Sequence, residues 1–194
     1  EAIDAWYNGV KSMLLTMIIL ILAWSLSGTT EILHTADYIV SVMGGHLRPE
    51  LLPAVIFIIS AATAFSTGTS WGTMGILMPL TIPLTWTILE NSNMANPENF
   101  SILYSSISAV LCGSVWGDHC SPISDTTILS SIASGCDHMN HVKTQLPYAL
   151  FVGGVGLVCG SIPSGFGAPW WICLLVSAVI LWIGLWYFGQ KIKN

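Results

Sequence analysis

Apolar residues run along this chain in long blocks separated by short polar segments. Five such blocks stand out: residues 13–26, 51–89, 101–134, 146–164 and 169–189. The 51–89 block holds no ionisable side chain. Residues 29–50 form a mixed linker carrying Glu31, His34, Asp37, His46 and Arg48. Within it, Ile32, Leu33, Ala36, Ile39, Val40 and Met43 fall at helical spacing, which predicts a short amphipathic helix lying at an interface. Polar loops at 90–100 and 135–145 separate the later blocks.

The 51–89 block is too long for one straight crossing. As a single helix it would extend about 58 Å against a hydrocarbon core of about 30 Å. Two glycines among clustered hydroxyls at Ser66–Thr73 mark a break in its middle. Each arm is then about 16 residues, roughly 25 Å. That fits a re-entrant hairpin or two short crossings, with Glu50 and Glu90 on one side, and the arm length favours the re-entrant form. The 101–134 block breaks at Gly117-Asp118-His119-Cys120-Ser121-Pro122 and reads as a discontinuous helix. Ser101, Ser105, Ala109, Gly113 and Gly117 form a row of small residues, which predicts close helix approach. Gly156-x-x-x-Gly160 is a weaker packing signal of the same type. Gly68-Thr69-Ser70-Trp71-Gly72 parallels Gly113-Ser114-Val115-Trp116-Gly117, which suggests similar backbone at the two places.

Composition turns these blocks into membrane spans. Apolar residues make up 53% of the 194, and charged residues only 8%. A soluble domain carries about 25% charged residues, so this chain needs an apolar solvent. The fold class is therefore an all-α polytopic helical membrane protein in one membrane domain, 1–194, with the lipid bilayer as its partner. Net charge is −5, and the five bases (Lys11, Arg48, Lys143, Lys191, Lys193) are scattered. No basic patch exists, which excludes nucleic-acid binding. Trp6, Trp24, Trp86, Trp170, Trp171, Trp182 and Trp186 lie near block ends, where interfacial aromatics belong. The five cysteines include no C-x-x-C pair and are expected as free thiols. Lys143, Lys191 and Lys193 share one side; calling it cytoplasmic puts the 90–100 loop outside. The start at Glu1 reads as a fragment boundary.

The breaks carry the chemistry. Irregular backbone within a membrane is tolerated where it lines a cavity or is buried in protein, and such breaks point to binding sites. The first break offers Ser66, Thr67, Thr69, Ser70 and Thr73, whose hydroxyls suit a hard cation or simply cap helix ends. The second places Asp118 and His119 in an apolar run, with Asp125 seven residues on. A carboxylate at the centre of a membrane helix costs about 2.5–3.5 kcal/mol on insertion scales, and no Lys or Arg lies inside the runs to neutralise it. A cation or a proton is then the natural partner. Burial disfavours the charged carboxylate and a bound cation favours it, so one group can exchange the two. Asp125 also fits a first-turn helix anchor, with Ser121-Pro122 as an N-cap and Pro at N1. A rival cluster, His119, Cys120, Cys136, His138 and His141, has the residue types of a transition-metal site, although a solvated loop is the default.

The run from Gly68 to Thr73 (Gly-Thr-Ser-Trp-Gly-Thr), that from Gly117 to Ser131, and Cys136-Asp137-His138 with His141 to Tyr148 resemble the NhaC-type Na⁺/H⁺ antiporter family. The resemblance implies a secondary transporter, not an enzyme, in a prokaryotic plasma membrane. It implies half of an inverted-repeat architecture, with residues 51–89 as a re-entrant hairpin and 101–134 as the discontinuous transmembrane helix. The chain is similar to that family's C-terminal half, so a missing N-terminal half or a partner chain is expected, with a homo-oligomer as a further arrangement. The expected ion and proton site lies between the breaks. Asp118 is the switch, and Asp125 is the second acid or a helix anchor. Thr67, Thr69, Ser70, Ser121, Ser124 and Thr127 supply oxygens, with His119 beside them. No cofactor is expected beyond transported Na⁺ and H⁺. Alternatives are a malate/lactate-type organic-acid exchanger coupled to Na⁺ or H⁺, a membrane metalloenzyme, and an accessory subunit.

Overall fold

The computed structural model describes residues 2–34, 38 and 48–189. The expected amphipathic segment at 32–43 falls mostly outside them. The described residues hold helices and no strand. The helices are α1 (Ala2–Ile32), α2 (Leu52–Thr67), α3 (Ser70–Asn91), α4 (Phe100–Cys120), α5 (Asp125–Ala133), α6 (His138–Val155) and α7 (Trp170–Phe188). A π-helical segment, Gly156–Ser161, and a last turn, Ile162–Gly165, extend α6. Five segments are long and apolar enough to cross a membrane: Pro49–Thr67, Ser70–Asn91, Pro97–Cys120, His138–Gly165 and Trp170–Tyr187. The chain is an all-α polytopic membrane protein, as its composition requires.

One contact sets the arrangement. Helices α2 and α4 run side by side at backbone distance. A Cβ at Gly113 would stand 2.5 Å from Phe57 O and 2.9 Å from Ser60 Cβ. A Cβ at Gly117 would overlap the Ala61 carbonyl. One turn on, Ser121 Oγ donates to Phe65 O at 2.7 Å. The pairs 57–113, 61–117 and 65–121 keep one offset, so α2 and α4 are parallel. In lipid, burying apolar surface between helices gains little, because the tails are equally apolar; close packing and hydrogen bonds hold the helices instead. The small-residue row on α4 thus does what its spacing predicts. Gly156 and Gly160 do not: nothing lies within 4 Å of a Cβ at either, and both sit in the π segment.

For α2 and α4 to be parallel, α3 must return between them. It does: Ile88 joins Leu52, Ile56, Phe57, Ala109 and Val110 in one buried cluster, and Trp86 packs on Phe100 with ring centroids 6.1 Å apart. Residues 51–89 are therefore a helical hairpin with Glu50 and Glu90 at one end. Its arms are longer than the sequence suggests, because α3 continues through Asn91 and a 3-10 turn, Pro49–Leu51, leads into α2. Each arm is long enough to cross, so arm length does not favour the re-entrant form. Pro79 and Pro83 lie inside α3, as membrane helices allow. α1 packs on α3.

The return helix α6 runs antiparallel to α4. Trp116 Nε1 donates to Ala149 O at 2.7 Å, and the Trp116 ring fills the space a Gly153 side chain would need. Phe57 stacks on the same ring at 5.6 Å. Gly165 then meets Glu50 O, and α7 turns back with Gly184 against Phe151. The five cysteines are free.

Gly117→Ala should lower the melting temperature of the detergent-solubilised protein, since overpacking costs about 1–3 kcal/mol and the obstacle here is backbone. Gly154→Ala has open space around it and should leave melting unchanged or raise it. Equal melting of the two variants would mean that α2 and α4 do not depend on this contact.

Candidate ion-binding site

The hairpin tip is made by Gly68 and Thr69. Gly68 takes φ +67°, a left-handed cap open to glycine, and its N–H donates to Ala64 O at 2.8 Å. Thr69 caps α3: its Oγ1 accepts from Gly72 N–H at 3.3 Å, and its carbonyl accepts from Thr73 Oγ1 at 2.9 Å. The break after α4 is Ser121–Ser124, a few residues later than the sequence suggests. Gly117, Asp118 and Cys120 are still helical. The parallel of 68–72 with 113–117 does not extend to backbone: the first is the hairpin tip, the second the interior of α4.

The two breaks touch. A Cβ at Gly68 would come within 2.9 Å of Ile123 O, and Ser121 bridges to Phe65 O one turn before the tip. Ser124, not Ser121, caps α5, accepting from Thr126 N–H at 3.2 Å. Asp125 is the first residue of α5 and is exposed; it sits where the helix dipole favours a carboxylate. Thr127 is buried and donates to His119 O at 3.4 Å. Thr67 is exposed and closes on Thr63 O at 2.9 Å, with Thr73 Oγ1 3.4 Å away. Ser70 is half-buried at the start of α3.

Asp118 is different from all of these. It is 7% exposed, and its Oδ1 has no hydrogen-bond partner among the described residues. The chain has no Lys or Arg between residues 49 and 142. A buried carboxylate oxygen without a donor is costly unless a proton or cation joins it. Its place differs from the expected helix centre. It is residue 19 of the 21 in α4, so a nearly complete span, about 31 Å for 21 residues, precedes it. The breaks stand at one end of the bundle, level with the polar first turns of α6.

Those turns hold the site in a way the sequence did not reveal. Gln145 Nε2 donates to His119 O at 2.6 Å and lies 3.0 Å from His119 Nε2, the ring itself being exposed. His138 Nε2 is 2.6 Å from Pro122 O, and its Nδ1 is 3.2 Å from Ser131 Oγ. A carbonyl only accepts, so Nε2 carries a proton. His138 thus ties the break, α5 and α6 together. Among the described residues no group of three or more His, Cys, Asp or Glu is placed to hold a metal; of the His/Cys cluster, His138 and His119 make the hydrogen bonds that hold the break.

Comparison with known proteins shows the family. The model of the Na⁺/H⁺ antiporter family matches residues 1–162. The chain belongs to the Na⁺/H⁺ antiporter family. An uncharacterised protein of Haemophilus influenzae is 40% identical over 184 residues, covering 93% of this chain and 33% of that protein. An uncharacterised Na⁺/H⁺ antiporter of the same organism is 28% identical over 168 residues, 82% of this chain and 33% of its own length. The malate-2H⁺/Na⁺-lactate antiporter of Bacillus subtilis is 27% identical over 144 residues, 74% of this chain and 28% of its own. The chain spans about a third of the length of these curated relatives. No solved structure matches it. The family and two of these relatives are named as antiporters, which are transporters and not enzymes.

Ser121→Ala should cost about 1 kcal/mol of stability, the usual worth of one hydrogen bond. His138→Ala removes two such contacts and should cost more and speed protease cleavage at 121–124. Wild-type melting and cleavage in both variants would show that these bonds do not hold the breaks together.

Proposed function

We propose that this chain forms the ion-handling part of a secondary antiporter exchanging Na⁺ for H⁺, with Asp118 as the group both ions share. The observation that carries the reading is the buried, unpartnered Oδ1 of Asp118 beside two touching helix breaks. In one state the carboxyl holds a proton. In the other it is charged and pairs with Na⁺. The competition makes the two movements obligatory alternatives, because burial of the bare carboxylate is the unfavourable third option.

The oxygens nearest this exchange are those of the two breaks: Thr67, Thr69 and Ser70 on one side, Ser121, Ser124 and Thr127 on the other. Several already bond to backbone, so Na⁺ would share or displace those bonds. Asp125 acts as an anchor of α5 that adds negative field at the mouth, and His119 lines the exposed side. We further assign the chain to the NhaC-type branch, as a C-terminal repeat in a prokaryotic plasma membrane. A preceding repeat or partner chain would complete the site from the open side of the breaks. Homo-oligomer formation is compatible with this arrangement. No cofactor takes part; Na⁺ and H⁺ are cargo.

A second reading is exchange of organic acids coupled to Na⁺ or H⁺, favoured by the likeness to the malate-2H⁺/Na⁺-lactate antiporter. A carboxylate cargo would want Arg or Lys, and residues 49–142 contain neither; the base would have to come from outside that stretch.

Reconstituted in liposomes, the whole protein should move protons when Na⁺ is pulsed and not when K⁺ is. Asp118→Asn should abolish the response, while Asp125→Asn should weaken it and keep it measurable. A Na⁺ response of wild-type size in Asp118→Asn would remove the switch from Asp118. A response to malate or lactate but not to Na⁺ alone would favour the second reading.

A further inference from the structure

Two sets of hydroxyls outside the breaks stand apart. Those near helix surfaces close on the carbonyl one turn back: Thr63 on Ile59 O at 2.8 Å, Ser66 on Ala62 O at 2.8 Å, Ser130 on Thr126 O at 2.8 Å, Ser134 on Ser130 O at 2.7 Å. That is the ordinary way for Ser and Thr to satisfy themselves in a helix. Four others, Ser60, Thr85, Ser106 and Ser114, are 0% exposed and have no partner among the described residues. All four lie in the α2–α3–α4 core that holds Asp118, whose Oδ1 is also unpartnered.

Their positions make a line. On α4, Ser106, Val110, Ser114 and Asp118 recur every four residues, a row that drifts slowly around the helix. From Ser106 to Asp118 is about 18 Å along the axis. Ser60 on α2 joins at the level of Gly113, its Cβ 2.9 Å from where a Gly113 Cβ would stand. Thr85 lies three residues from Ile88, on the part of α3 that returns toward the Glu50–Glu90 end, as does the Ser106 end of α4. Val110, also 0% exposed, belongs to the apolar cluster with Leu52, Ile56 and Ile88. It separates the outer hydroxyls from the inner ones.

We propose that these hydroxyls form an internal polar track by which a small monovalent cation, hydronium or Na⁺, reaches Asp118 from the Glu50–Glu90 end, with Val110 as its apolar constriction. Hydroxyl oxygens are ligands for such ions, and an apolar ring closes a path by excluding water until it widens. Asp118 lies three residues before the break at Ser121–Ser124, at the opposite end, so the track would supply the second access that exchange across a membrane needs. The inference rests on the reading of Asp118 as the ion-sharing group.

The test is thiol accessibility, which does not require transport. In the whole protein with its native cysteines replaced, single Ser106→Cys, Ser114→Cys and Ile102→Cys variants are treated in membrane vesicles with aminoethyl methanethiosulfonate. Ile102 is 2% exposed on the same helix, nearer its end. Ser106→Cys and Ser114→Cys should react at least about tenfold faster than Ile102→Cys, since thiol reactivity needs solvent access. Adding Val110→Ser should speed Ser114→Cys further. Rates at 106 and 114 no faster than at 102, or no effect of Val110→Ser, would overturn the track. Slowing of Ser114→Cys by Na⁺ but not by K⁺, at fixed pH, supports it and names Na⁺ as the occupant. Fast labelling together with no Na⁺ response in liposomes would leave the track standing and remove the Na⁺/H⁺ reading.

Discussion

Everything in this chain hangs on two glycines against a backbone. Gly113 and Gly117 let α4 lie on α2 with no side chain between them, at the level of Phe57, Ser60 and Ala61. In a membrane that closeness is the available source of packing energy, because lipid competes for every apolar surface but not for a tight fit. The contact makes α2 and α4 parallel, forces α3 to return, and sets the hairpin tip level with the break after α4. Gly68 then meets Ile123, and two irregular segments far apart in sequence become one place.

That place needs its polar groups accounted for. Most of the break hydroxyls cap helices or bridge to carbonyls, which is what allows backbone to leave the helix without loose donors. Ser121, Ser124, Thr69 and Thr127 each have such a bond. Asp118 Oδ1 has none among the described residues, which sets it apart from the other polar groups of the breaks more clearly than its position in the sequence does. The latch of His138 and Gln145 shows the site held from a third direction, by the start of α6. A site braced by a few hydrogen bonds at one end of the bundle is easier to rearrange than one locked by continuous packing.

The apolar blocks, the two breaks, the small-residue row and the buried acid were legible in the linear sequence. So were the class and the family, through composition and the runs at 68–73 and 117–131. These features depend on local rules. Burial in lipid demands apolar runs, glycine among hydroxyls interrupts a helix, and small residues at four-residue spacing invite a neighbour. Glycine and aspartate are breakers by the same rules, which places the second break at Gly117; in the fold Gly117 is helical and serves the close approach of the α2 carbonyl instead.

Tertiary structure alone decided the rest. Nothing in the order of residues says that α2 and α4 are parallel, or that His138 reaches back to Pro122 across sixteen positions. Nor does it distinguish Ser66, bonded to its own helix, from Ser60, buried without a partner. Both are serines on one helix, about one residue short of two turns apart. Which one faces a neighbouring helix is settled by packing, and packing depends on every helix at once. The sequence by itself determined that this chain lives in a membrane and carries a buried acid beside broken helices. Only the fold determined what that acid touches, because hydrogen-bond partners are chosen in space and not along the chain.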